Sequence, residues 1–189
     1  ELSGGLVTPS KRGIGIYDDT PGSPSLKDQL ELATELQSKW VIFFVYPIRL
    51  DGSALDPKWA EMIREAYSRG FGVVARLGPK GSPRACADPG SNHTSYTRCA
   101  AVLAAAAASL PLPDTPDLPP LHIHAGNELN ACNEWRCSSE PAGVVLDMAT
   151  RGREVAGFMR DTFAALRAIP GASTGRVKLA HASIASWGY

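Results

Sequence analysis

Five short apolar runs alternate with four helical patterns, and that order predicts an α/β domain with about five parallel strands and helices outside. Two further observations narrow the architecture. The run Trp40–Ile48 (WVIFFVYPI) is apolar without a break, as a strand buried on both faces requires. The first strand ends in Tyr17-Asp18-Asp19, and Gly13 and Gly15 lie inside it, so the glycine-rich fingerprint of a dinucleotide-binding doubly wound sheet is missing. The reading is a sheet in sequential order, curved as a partial or truncated (β/α)8 barrel. It spans residues 1–189 as one domain and is incomplete at its C-terminus.

The elements follow from local signals. Lys11–Asp19 reads as the first strand. Ser25 and Asp28 form a capping box, and Leu26, Leu30, Ala33 and Leu36 recur at helical spacing behind it. Trp40–Ile48 is the second strand. Asp56-Pro57 reads as an N-cap followed by Pro at the first helical position; Trp59, Met62, Ile63 and Ala66 form a face, and Gly70 ends the helix. Phe71–Leu77 is the third strand, followed by a long loop to about Ser95. An Ala-rich helix runs to about Leu110, and Pro111–Pro120 is a stiff connector. Leu121–Ala125 is the fourth strand. Val144–Ile169 is helical, with Val155, Phe158, Met159, Thr162, Phe163, Leu166 and Ile169 in one stripe. Val177–Ile184 is the fifth strand.

Bulk properties exclude several classes of function. The net charge is zero and there is no basic run, which argues against nucleic acid. No apolar segment approaches the roughly 20 residues of a membrane span. No P-loop motif is present and the dinucleotide fingerprint is missing, and no cofactor is expected; no Ser/His/Asp nucleophile grouping can be argued from the spacing. The four cysteines form two close pairs, Cys86 with Cys99 and Cys132 with Cys137, each bounding a polar loop. Asn92-His93-Thr94 is an N-glycosylation sequon inside the first loop. The chain begins at Glu1, not Met, as a processed secretory precursor or an artificially shortened chain would. Together these predict two local disulfides, a glycan on Asn92 and an extracellular location. Zinc is the rival use of four cysteines, and their spacing disfavours it, so no metal site is expected.

The stretch Leu121-His-Ile-His-Ala-Gly-Asn-Glu-Leu-Asn130 carries the chemistry. A strand ends abruptly at Gly126-Asn127-Glu128, and the C-terminal end of a parallel strand is where a barrel places its reacting groups. Strands two to four resemble the first half of a clan A glycoside hydrolase barrel, of the β-galactosidase-like kind. Arg69-Gly-Phe-Gly-Val-Val-Ala-Arg-Leu-Gly-Pro79 resembles that family's third strand, which ends in Arg-x-Gly-Pro; Asn127-Glu128 resembles the pair that ends its fourth. The resemblance covers roughly residues 11–130. It implies Glu128 as general acid/base, Asn127 holding the substrate's 2-hydroxyl, and Arg76 supporting the catalytic carboxylates. Asp18, Tyr46 and His181 are expected around them at the mouth of the sheet. The family's nucleophile follows strand seven. The expected partner besides carbohydrate is therefore a missing C-terminal segment or another chain that completes the barrel, or self-assembly. The alternative is a non-catalytic extracellular glycoprotein on the same degenerate scaffold, structural or carbohydrate-binding.

Other residues have plainer readings. Asn133-Glu134 lies off the strand, as loop surface. His122 and His124 alternate on one strand face and read as satisfied core histidines. Trp135, Trp187 and Tyr46 are candidates for stacking on sugar rings, or ordinary core and rim residues.

Overall fold

The computed structural model describes residues 13–16, 22, 24–80, 82–126, 129, 135 and 147–180. They form one parallel sheet with four α-helices. The strands are β1 (Gly13–Ile16), β2 (Trp40–Ile48), β3 (Gly72–Pro79), β4 (Leu121–Ala125) and β5 (Val177–Ala180); the helices are α1 (Leu26–Glu35), α2 (Pro57–Ser68), α3 (Thr97–Ala108) and α4 (Met148–Leu166). The strands lie side by side in the order β1-β2-β3-β4-β5, every pair parallel. A doubly wound sheet would place β1 in the interior, so the sequential order rules that architecture out. Successive parallel connections of one hand, laid in sequential order, put every helix on one side of the sheet.

Side-chain alternation then gives the sheet two unlike faces. Val41, Phe43 and Val45, Val73, Ala75 and Leu77, and Leu121 and Ile123 are all 0% exposed and form the core with the helices. Phe43 meets Trp59 of α2 edge to face, 6.5 Å between ring centroids. The intervening residues Ile42, Phe44, Val74, Arg76, His122 and His124 are only half-buried. The continuous apolar run of β2 therefore does not mean burial on both faces among the described residues, because the helices cover one side only.

The helix ends follow the local signals where those exist. Ser25 and Asp28 form the reciprocal capping box of α1, and the Asp56 side chain accepts the Lys58 N–H at the start of α2. Asp147 caps α4 by accepting the Thr150 N–H. The start of α3 has no cap of its own. Asp88 supplies it from outside, accepting the backbone N–H groups of Thr97 and Arg98 and the hydroxyls of Ser95 and Thr97 at 2.6–3.0 Å. Those hydrogen bonds hold its carboxyl well below the usual carboxylate range.

The long loop after β3 contains a 3₁₀ turn, Pro83–Cys86, tied to α3 by the Cys86–Cys99 disulfide across a Cα separation of 5.6 Å. Cys132 and Cys137 lie outside the described residues. Asn92 is exposed with φ 48°, a left-handed conformation that Asn tolerates well. Among the described residues, no helix is long and apolar enough to cross a membrane.

Candidate functional site

The second face of the sheet gathers the polar and aromatic residues. Phe44, Arg76 and His124 occupy one row across β2, β3 and β4, paired in register as Phe44 with Arg76 and Arg76 with His124. The Arg76 guanidinium lies over the Phe44 ring, 4.8 Å from its centroid. One step toward the C-terminal ends, Tyr46 is 49% exposed. Its ring packs over Gly78, where an added Cβ would stand 3.2 Å from Tyr46 Cδ2.

One step toward the N-terminal ends, Ile42, Val74, His122 and Lys178 form the next row. Below that row Trp40 lies across Gly72, where an added Cβ would come within 2.6 Å of Trp40 Cε3, so only glycine fits. The same indole meets His122 edge-on, with ring centroids 5.1 Å apart. The face is thus floored by Trp40 and opens toward the strand ends that carry Tyr46.

The histidines depart from the sequence reading. They lie half-buried on this second face, not in the core under the helices, and Nδ1 of His124 has no hydrogen-bond partner among the described residues. Burial, then the nearby Arg76 and His122, push the His124 imidazole below its ordinary range; burial, then Lys178, do the same to His122. Both are therefore neutral at pH 7 and can each donate and accept one hydrogen bond. Among the described residues, no group of three or more His, Cys, Asp or Glu could hold a metal ion.

Strand β4 stops at Gly126, which has φ 79° and donates its N–H to the Leu77 carbonyl at 2.8 Å. A Cβ there would stand 2.5 Å from Leu129 Cδ2. Gly126 is favoured there by its backbone conformation, and a side chain would also have to displace Leu129. Of the residues expected at the site, Arg76 and Tyr46 share this face near the C-terminal ends of adjacent strands. Asp18, Asn127, Glu128 and His181 lie outside the described residues.

Of the two readings of Trp135, the core one holds. It is 0% exposed and packs against Tyr96 and Phe158, with ring centroids 5.9 and 5.8 Å away. It is not available to stack on a sugar. Its indole N–H donates to Glu154 of α4 at 2.9 Å, and the same carboxylate pairs with Arg84 at 2.8 Å. Sequence reasoning missed Glu154 and Arg84. Glu154 lies four residues before Phe158, so a carboxylate falls on the same helical face as the apolar stripe of α4, and that was the available signal.

Searches against family models, curated proteins and solved structures give no match for this chain.

Proposed function

We propose that this chain is part of a secreted glycoside hydrolase-like (β/α) barrel that acts on carbohydrate at the C-terminal ends of its strands. The observation that carries the reading is the second face of a sequential, all-parallel sheet. There Arg76, Phe44 and His124 share a row beside Tyr46, and β4 ends at Ala125, two residues before Asn127 in the sequence. Barrel enzymes place their chemistry at that end of the strands. Sugar sites combine an aromatic platform with fixed hydrogen-bonding groups, and Tyr46 and His124 are of those two kinds.

In this reading Glu128 protonates the departing glycosidic oxygen and Asn127 donates to the 2-hydroxyl. Arg76 keeps a neighbouring carboxylate ionised. Tyr46 stacks on a sugar ring, while Asp18 and His181 border the cleft. Two carboxyl groups about 5–5.5 Å apart are needed for a retaining mechanism. The second comes from the strands that complete the barrel and cover the half-exposed face, in a C-terminal continuation or a companion chain. The Cys86–Cys99 disulfide and the exposed Asn92 support the extracellular setting, with a glycan on Asn92 in a eukaryotic source.

The test uses the full-length protein with any co-purifying chain. Glu128→Gln should lower turnover of aryl glycosides by about 10²–10⁴-fold, the usual cost of losing general acid/base catalysis, with the fold retained. Turnover that survives Glu128→Gln unchanged would sink the assignment. Sugar binding without any turnover in the wild type would select the non-catalytic glycoprotein instead.

A further inference from the structure

We propose that Arg84 and Glu154 are positioning residues for the chain that leaves β4, acting through Trp135, with the Cys86–Cys99 disulfide holding Arg84 in place. Three separate pieces of chain meet on one carboxylate. Glu154 Oε2 accepts the Trp135 indole N–H at 2.9 Å and the Arg84 Nε–H at 2.8 Å, while Oε1 takes a longer bond of 3.4 Å from the other arm of the guanidinium. The two charged side chains are only 12% and 7% exposed. A carboxylate so buried is tolerated because it is paired, and removing either partner leaves an uncompensated charge.

The surroundings make the contact directional. Tyr96 and Phe158 stand at 90° to one another, 5.7 Å apart, and Trp135 fills the angle between them. Apolar packing alone would accept the indole in more than one orientation; its N–H has one acceptor here. Arg84 belongs to the 3₁₀ turn Pro83–Cys86, which Ser82 caps and which the disulfide ties to Cys99 in the first turn of α3. Tyr96 immediately precedes that turn of α3. The disulfide therefore joins the two elements that present the clamp's guanidinium and one wall of its aromatic cage.

Earlier in the sequence, Gly126 is fastened to the Leu77 carbonyl of β3 and Leu129 is buried. Positions 127 and 128 fall between these fastenings in the sequence. That consequence for Glu128 rests on the glycosidase reading; the clamp itself does not.

The experiment is amide and indole hydrogen exchange in the full chain, followed by nuclear magnetic resonance. The sequence holds four tryptophans, so the Trp135 indole resonance is assigned by its loss in Trp135→Phe. Glu154→Gln, which keeps one acceptor oxygen but loses the charge that strengthens both hydrogen bonds, should speed exchange of the Trp135 indole proton and of the amides of residues 129 and 135 by about 10-fold. Amides of β3 and α2 should keep their wild-type rates. Arg84→Lys, which keeps the charge without the fork, should give a smaller increase. The double variant Cys86→Ala, Cys99→Ala, which removes this disulfide alone, should act in the same direction. If Glu154→Gln fails to fold, Trp135→Phe carries the test, since it keeps an aromatic ring, though a smaller one, and removes the donor: faster exchange at residue 129 with β3 and α2 unchanged supports the clamp. Unchanged exchange at that position, or equal acceleration throughout β3 and α2, would overturn it. These rates are read without substrate, so a lack of glycosidase turnover would leave them standing.

Discussion

The two faces of the sheet are made by the same strands and differ in almost everything else. On the helix side, Val41, Phe43, Val45, Val73, Ala75 and Leu77 are fully buried. One residue along on β2 and β3, the other side presents Phe44, Tyr46, Val74 and Arg76, half-buried or exposed, and β4 adds His122 and His124. An Arg or two His among the first set would cost several kcal/mol in unmet hydration. On the second face they are only half-buried, so they can be kept ready for a ligand or a covering segment. Polar residues on an otherwise apolar strand thus mark the side where chemistry can sit.

The largest effect expected is on the first face. Phe43→Ala should cost about 3–5 kcal/mol in urea denaturation, as for other buried aromatics. Phe44→Ala, its neighbour on the second face, should cost less than half as much. Equal losses would mean that the two faces are equally part of the core.

An intermediate effect is expected where the second face is closed. Gly72→Ala forces the Trp40 ring off β3 and should destabilise by about 1–3 kcal/mol, as overpacking does. Trp40 emission should shift to the red with it. Wild-type stability and emission would show that the indole does not floor this face.

The smallest effect is a pH dependence. His122 and His124 are held below the ordinary imidazole range in the folded chain. As pH falls through about 6.5, the unfolded chain takes up these protons first. Acidification therefore favours unfolding, and stability rises with pH across that window. The double variant His122→Gln, His124→Gln should flatten the stability profile between about pH 7 and pH 5. An identical slope in the variant would mean that neither imidazole is held neutral by the fold.

Much of the framework is legible in the sequence. The Ser25 capping box, the Asp56-Pro57 start of α2 and the β2 and β4 boundaries all emerge where the residues placed them. So does the Cys86–Cys99 pairing. The candidate site was legible only as residue types: Arg76 and Tyr46 do share a face, but their side of the sheet does not follow from an unbroken apolar run.

Sequence by itself determined the elements and their order, because capping, helical periodicity and strand propensity act over a few residues. Tertiary structure alone decided which strand face the helices would cover, and so which of Phe43 and Phe44 is core. It also decided that Asp88 caps α3 from nine residues upstream of Thr97, and that Trp135 is walled in against Tyr96 and Phe158. The same holds for the pairing of Arg84 with Glu154, 70 residues away in the chain. Each of these contacts joins groups whose separation in sequence carries no local signal, and each forms only once the sheet has brought its loops to a common place.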